Sequence, residues 1–239
     1  VVDMTQAYWI FGKNSCKAVL HNEDREILEV RAVKHLSEEF RSSLHRNVVY
    51  KEASQQELDN LLPGAVHQGI AVRVLPIDKP HLDWLLQEQA GKSIVLILDQ
   101  ITDPHNVGAI MRTAAAFDVA AVIMTNRNSV RESGVVAKAA AGALESVPII
   151  EVANLVEAIK MLKKSNYWIF AMDGGAMDNV NILSGYDKVA IVLGSEGDGI
   201  RDLVAKNCDL KIKIPMSEKM ESLNVSNACA IALFAATRG

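Results

Sequence analysis

The chain is poor in cysteine: three in 239 residues, Cys16, Cys208 and Cys229, none in a Cys-x-x-Cys or Cys/His spacing. Isolated thiols exclude a disulfide framework and a cysteine-built zinc site, and they are expected to be core thiols of a reducing compartment. No apolar run reaches the roughly 18 residues that a membrane span needs. The opening "VVDMTQAYWIFGKN" lacks the basic-then-apolar order of a signal peptide. The expected location is therefore the cytoplasm, with no membrane partner. Excess charge is also small: 25 Lys/Arg against 29 Asp/Glu give a formal net charge of −4, so any contact with nucleic acid has to come from a local basic patch and not from a bulk field. What is present is a globular composition, 49% hydrophobic and 23% charged, with no low-complexity tract.

Several catalytic signatures are missing too. A dinucleotide fold needs G-x-G-x-x-G between its first strand and helix. After the apolar run "SIVLILD" (residues 93–99) this chain has "QITDPHNVGAIMRT", with Gly108 alone. A Walker-A loop ending in Lys-Ser/Thr is absent, and so is the G-x-S-x-G of a serine hydrolase. A glycine loop does occur late in the chain, in "IVLGSEGDGI" (residues 191–200), but its order is G-x-x-G-x-G and it carries Glu196. A carboxylate there would repel a phosphate, so the loop is expected to hold something else.

The pattern of elements divides the chain. Residues 1–76 alternate short helices and strands. "NSCKAVLHN" is expected to be a helix opened by Asn14, "ILEVRAV" a strand, "SEEFRSSL" a helix, and "VVYKEA" extended. Ser54 and Glu57 have capping-box spacing ahead of "QQELDNLL", and "GIAVRVL" closes the unit as a strand. Residues 77–92, with proline and glycine, read as a linker. From residue 93 to 239 strands and helices alternate again. "SIVLILD", "AAVIMT", "VPIIEV", "YWIFAMD", "KVAIVLG" and "LKIKIP" are the expected strands. The helices are one from about Asn106 to Phe117, "VVAKAAAGAL", "NLVEAIKMLKK" and a closing "LNVSNACAIALFAATRG". That alternation implies a parallel sheet covered on both faces, with ligands at the carboxyl ends of its strands. The closing helix is apolar over most of its circumference, as a buried helix would be.

Three polar clusters fall at such strand ends. The first holds Asn106 and Arg112. If Asn106 caps its helix, its side chain can bend over the N-terminus; inside a helix the two residues would stand about 240° apart. The second is "GSEGDG". The third is "IPMSEKMESLNVSNA", where Ser222 and Asn224 precede a helix and suit plain capping. In residues 1–76, nine Lys/Arg face ten Asp/Glu, and the best basic cluster is Arg41, His45, Arg46 and Lys51. Arg127, Arg131 and Lys138 are alternatives later in the chain.

Together and in this order, the three clusters resemble the motifs of the SpoU family of RNA ribose 2′-O-methyltransferases, in the SPOUT superfamily. They match as Asn106-Val-Gly-Ala-Ile-Met-Arg112, as the Gly-x-Glu-Gly-x-Gly of residues 194–199, and as "IPM" (214–216) followed by "SLNVS" (222–226). "GAVHQGIAV" (64–72) is similar to the subgroup that methylates a guanosine of large-subunit, 23S-type ribosomal RNA. The resemblance implies an α/β fold: a knotted parallel-sheet catalytic domain at residues 93–239, closed by a trefoil knot, behind a small L30e-like RNA-binding domain. It implies S-adenosyl-L-methionine as cofactor, lined by Leu193, Gly194, Ile214, Met216 and Leu223, and a homodimer. Arg112 would be the general base or activator, with Asn106, Glu196, Ser222 and Asn224 positioning it and the ribose. Arg41, Arg46 and Arg131 would meet RNA, and no metal is needed. A transfer RNA substrate, or a non-catalytic RNA-binding role on the same scaffold, are the alternatives. Two departures stand out: Asp118 where the family commonly has glycine, and "SEKME", which lacks the usual glycine.

Overall fold

The computed structural model describes residues 6–41, 48–87, 91–127, 129–217 and 219–238. His45 and Arg46 lie outside the described residues, as do the last three residues of "SEEFRSSL". The chain divides into two compact units, one of residues 1–78 with 131–146, the other of residues 79–130 with 147–239.

The first unit runs β1 (Tyr8–Phe11), α1 (Lys13–His21), β2 (Ile27–Ala32), α2 (Ser37–Arg41), β3 (Val49–Glu52), α3 (Gln55–Leu61) and β4 (Ile70–Val74). Its sheet has the order β1-β4-β2-β3, antiparallel except for the β2–β3 pair. The Ser54–Glu57 capping box forms in full and opens α3. Helix α1 departs from expectation: Gly12 at φ 89° is its N-cap, and Asn14 already lies inside it.

The second unit begins with α4 (Leu82–Gln87), inside the stretch read as a linker; Leu82 and Leu85 are buried in the core of this unit. Strand β5 (Ser93–Asp99) follows, every residue of it buried, then α5 (Pro104–Ala116) and β6 (Ala121–Thr125). Asp118, at φ 52°, makes the left-handed turn out of α5, a conformation Asp visits at modest cost. After α6 (Gly134–Ala140), which belongs to the first unit, come β7 (Ile149–Val152), α7 (Leu155–Lys164), β8 (Trp168–Met172), β9 (Asp178–Asn179) and β10 (Lys188–Gly194). The chain closes with α8 (Asp202–Ala205), β11 (Leu210–Lys213) and α9 (Val225–Thr237). All seven strands are parallel, in the order β7-β6-β5-β10-β8-β11-β9. Central β5 and β10 are apolar almost throughout because both their faces are covered. Burying each such Ile, Leu or Val stabilises by about 1.5–3 kcal/mol.

The expected helix "VVAKAAAGAL" is broken: Ala141 at φ 52° and Gly142 at φ 101° end α6, and a short 3-10 turn follows. Residues 131–146 are held in the first unit by charge as well as by packing. Arg25, its side chain fully buried, pairs with Glu132 at 2.7 Å and with Glu145 at 2.6 Å. It also donates to the Leu75 carbonyl at 2.8 Å, and the Tyr8 hydroxyl donates to Glu132. Burial by itself would lower the Arg25 pKa, but the hydrogen bonds to Glu145 and the surrounding negative charge hold it above its ordinary value. Burial first, then the Glu132 charge, pushes the Tyr8 phenol upward. Burial also pushes the thiols of Cys208 and Cys229 up to about 12, leaving both protonated at neutral pH. No helix among the described residues is long and apolar enough to cross a membrane.

Candidate active site

Strands β8, β10 and β11 end side by side, and the segments leaving them enclose a cleft of about 680 Å³. Volume in this range suits a cofactor-sized ligand. Its floor is the glycine loop. The backbone of Ser195 bonds Gly199 in both directions, at 3.1 and 3.0 Å, and Gly197 and Gly199 take φ of 97° and 68°. The loop folds back so tightly that a Cβ on Gly194 would lie 2.2 Å from the Gly199 carbonyl carbon and 2.3 Å from the Ile200 nitrogen. Only glycine fits position 194 without moving that backbone.

Leu193, Gly194, Glu196, Ile214, Met216, Ser222, Leu223 and Asn224 all line the cleft. Its walls are apolar where Leu193, Ile214, Met216 and Leu223 face in. Glu196, Glu221 and Asp173 are three carboxylates against Lys213. The Lys211 hydrogen bond, then the Gly175 amide, hold the Asp173 carboxyl below its ordinary value. Such a lining suits a cationic ligand with a flat apolar portion and disfavours a polyphosphate.

Helix α5 reaches this site differently from expectation. Its N-cap is Asp103, which accepts from the His105 amide at 3.0 Å, and Pro104 opens the first turn. Asn106 therefore sits inside the helix, buried, and does not cap it. From there its Nδ2 donates to Glu196 Oε1 at 3.1 Å, while its Oδ1 accepts from Asn224 Nδ2 at 3.0 Å. Asn224 also donates to Glu196 Oε1, at 2.6 Å. Its own Oδ1 caps α9 by accepting from the Ser226 amide at 2.9 Å. Capping and site chemistry are thus not alternatives for Asn224; the two ends of one amide divide the work.

Arg112 is six residues beyond Asn106, about 240° further round α5, and it is exposed and outside the cleft lining. Among the described residues its side chain has no hydrogen-bond or ion-pair partner. The structure thus gathers Asn106, Glu196, Ser222 and Asn224 with the cleft and leaves Arg112 outside it. Arg41 lies over the Tyr50 ring at 5.3 Å, and Arg131 is exposed, in the first unit. Met172, Asp173 and Gly174, at the end of β8, and Ala228 of α9 also line the cleft and were not expected. The signal for the first three was available: β8 ends in "AMDGG" at the carboxyl edge where ligands bind.

The SpoU rRNA Methylase family model matches residues 93–234, and the model for RNA 2′-O ribose methyltransferase substrate binding matches residues 9–80. The chain belongs to the SpoU family. It is 37% identical over 238 residues to the 23S rRNA (guanosine-2′-O-)-methyltransferase RlmB of Pasteurella multocida, covering 96% of this chain and 97% of that one. It is 34% identical over 238 residues to the RlmB of Xylella fastidiosa (strain 9a5c), covering 96% of each. The fold agrees with the SpoU methyltransferase AviRb from Streptomyces viridochromogenes in complex with the cofactor AdoMet, at a TM-score of 0.83 and 18% identity, over 98% of this chain and 90% of that one. The architecture is therefore SPOUT-type, with a substrate-binding segment ahead of the parallel sheet.

Proposed function

We propose that this SpoU-family protein transfers a methyl group from S-adenosyl-L-methionine to a ribose 2′-hydroxyl in RNA, at a guanosine of 23S-type ribosomal RNA. The observation that carries the reading is the cleft at Gly194, whose tight backbone, apolar walls and carboxylates suit an adenosine joined to a sulfonium cation. The relatives that match over nearly the full chain are named for that reaction. Leu193, Gly194, Ile214, Met216 and Leu223 hold the cofactor, which when bound supplies an activated methyl group.

The residues of this chain provide orientation and charge. Glu196, fixed by Asn106 and Asn224, orients the ribose together with Ser222. Well-placed reactants gain about 7–11 kcal/mol from orientation alone. Arg112 offers a planar cation with several donors, which stabilises the alkoxide developing at the 2′-oxygen, and the proton leaves through the RNA phosphate. The first unit binds RNA, with Arg41, Arg46 and Arg131 as phosphate contacts. The protein works as a homodimer, and the RNA site draws residues from both copies. Two features support this: Arg112 stands outside the cleft of its own chain, and α9, apolar over most of its circumference, leaves Ile231 and Phe234 exposed, 37% and 48%, where such a helix would ordinarily be buried.

Mass-spectrometric mapping of 2′-O-methyl groups in ribosomal RNA, with and without the protein, tests the reading. The expected result is one guanosine of the large-subunit RNA that loses its methyl group when the protein is absent. Identical maps would overturn it, and a change confined to transfer RNA would move the substrate.

A further inference from the structure

The glycine loop is pinned at its exit by an ion pair to a buried carboxylate, outside the cleft lining. Asp99 is the last residue of β5, and it lies in register with Gly194, the last residue of β10. Its side chain is fully buried. Oδ2 accepts from the Arg201 amide at 2.9 Å; Oδ1 accepts from Arg201 Nε at 2.8 Å and pairs with Nη2 at 2.7 Å. Arg201 directly follows the loop and occupies the N-cap position of α8. Its side chain remains 46% exposed, so the guanidinium reaches in from the surface to meet the carboxylate.

Both ends of residues 194–201 are thus fixed on adjacent strand ends. The entrance is held by the β5–β10 ladder at Gly194, and the exit by Asp99 through both the backbone and the side chain of Arg201. Within that span the return segment rests on Gly194 at a distance that admits no Cβ. A buried carboxylate is costly unless paired and hydrogen-bonded; here the Arg201 backbone amide satisfies Oδ2, and Nε and Nη2 converge on Oδ1, an arrangement that a lysine ammonium does not reproduce.

We infer that Asp99 and Arg201 are positioning residues for the cofactor loop: the pair holds residues 194–199 in the binding conformation before the cofactor arrives. The role rests on the reading of the cleft as the S-adenosylmethionine site. Preorganisation acts on affinity, because ordering the loop is then not charged to the binding step. Neither Asp99 nor Arg201 lines the cleft, and neither shares the hydrogen bonds of the Asn106–Glu196–Asn224 cluster, so the transfer step itself does not depend on the pair.

Full-length Arg201→Ala and Arg201→Lys, compared with the parent chain, test this by calorimetric titration with S-adenosylmethionine, filter binding of a ribosomal RNA fragment without cofactor, and thermal unfolding. The expected result for Arg201→Ala is a cofactor Kd raised about tenfold or more, a cofactor KM raised in parallel, and kcat at saturation and RNA affinity close to the parent. Arg201→Lys should lie between the two, since it keeps the charge and loses the fork. An unchanged cofactor Kd in Arg201→Ala overturns the inference. So does a common fall in cofactor affinity, RNA affinity and melting temperature, which would mark the pair as ordinary structural support. If Arg201→Ala does not fold, the same criteria apply to Arg201→Lys. A parent chain that binds no S-adenosylmethionine would remove the reading of the cleft itself, and the role of the pair with it.

Discussion

Arg25 and Arg112 bring the same guanidinium into opposite situations. Arg25 is buried in the first unit, its donors taken up by Glu132, Glu145 and the Leu75 carbonyl. Glu132 in turn accepts from Tyr8, and Glu145 from Asn22 at 2.8 Å. Four of the five guanidinium N–H groups have partners within the unit. Arg112 lies exposed on α5, without a partner among the described residues. The Asn106–Glu196–Asn224 cluster at the start of the same helix opens onto a cleft. Saturation separates the two. A closed charge network specifies how residues 131–146 join the first unit, whereas groups with spare capacity are the ones available for chemistry.

The largest effect should come from opening the closed network. Arg25→Ala strands two buried carboxylates, and breaking a buried pair this way costs about 3–5 kcal/mol. Urea unfolding should show a loss of that size; a loss under about 1 kcal/mol would break the contrast. A chain starting near residue 92 should suffer similarly, because it lacks Arg25 and also Leu82 and Leu85 of the second unit's core.

Next in size is Gly194→Ala. Forcing a methyl group against the 199–200 backbone costs about 1–3 kcal/mol, or roughly ten- to hundredfold in cofactor affinity if the loop shifts to accept it. Calorimetry reads this directly, and parent-like affinity would show that the cleft is not where S-adenosylmethionine binds.

A smaller effect separates two asparagines that share one structural role. Asn154 and Asn224 both cap helices, accepting from Val156 and Ser226 amides at 2.9 Å. Replacing either with alanine should cost about 1 kcal/mol of stability. Only Asn224→Ala should also slow methyl transfer, because only Asn224 holds Glu196. Equal activity for the two variants would separate the cluster from the reaction.

Much of the second unit could be read in advance, since β5 and β10 are continuous apolar runs whose length and flanking turns leave little choice. The short elements could not. Strand β1 is four residues, "YWIF", with no alternation to mark it; β9 is two residues and α8 four. These depend on tertiary pairing more than on pattern. The cap of α5 is legible in the sequence, because Asp103 followed by Pro104 is a stronger helix start than Asn106. Asp99 gave no local sign of its partner 102 residues away. Nor did Arg25 announce Glu132 and Glu145, because charge pairing between distant segments leaves no periodicity in the sequence.

If side chains left without partners carry the chemistry, the loss of Arg112 should show it. Single-turnover methyl transfer should be measured for Arg112→Ala with RNA and S-adenosylmethionine both saturating. The expected loss is about a hundred- to a thousandfold, the equivalent of about 2.7–4 kcal/mol of transition-state stabilisation. Cofactor affinity and melting temperature should stay at parent values, and Arg112→Lys should fail nearly as badly, because it lacks the planar fork. A parent-like rate for Arg112→Ala would remove Arg112 from the reaction.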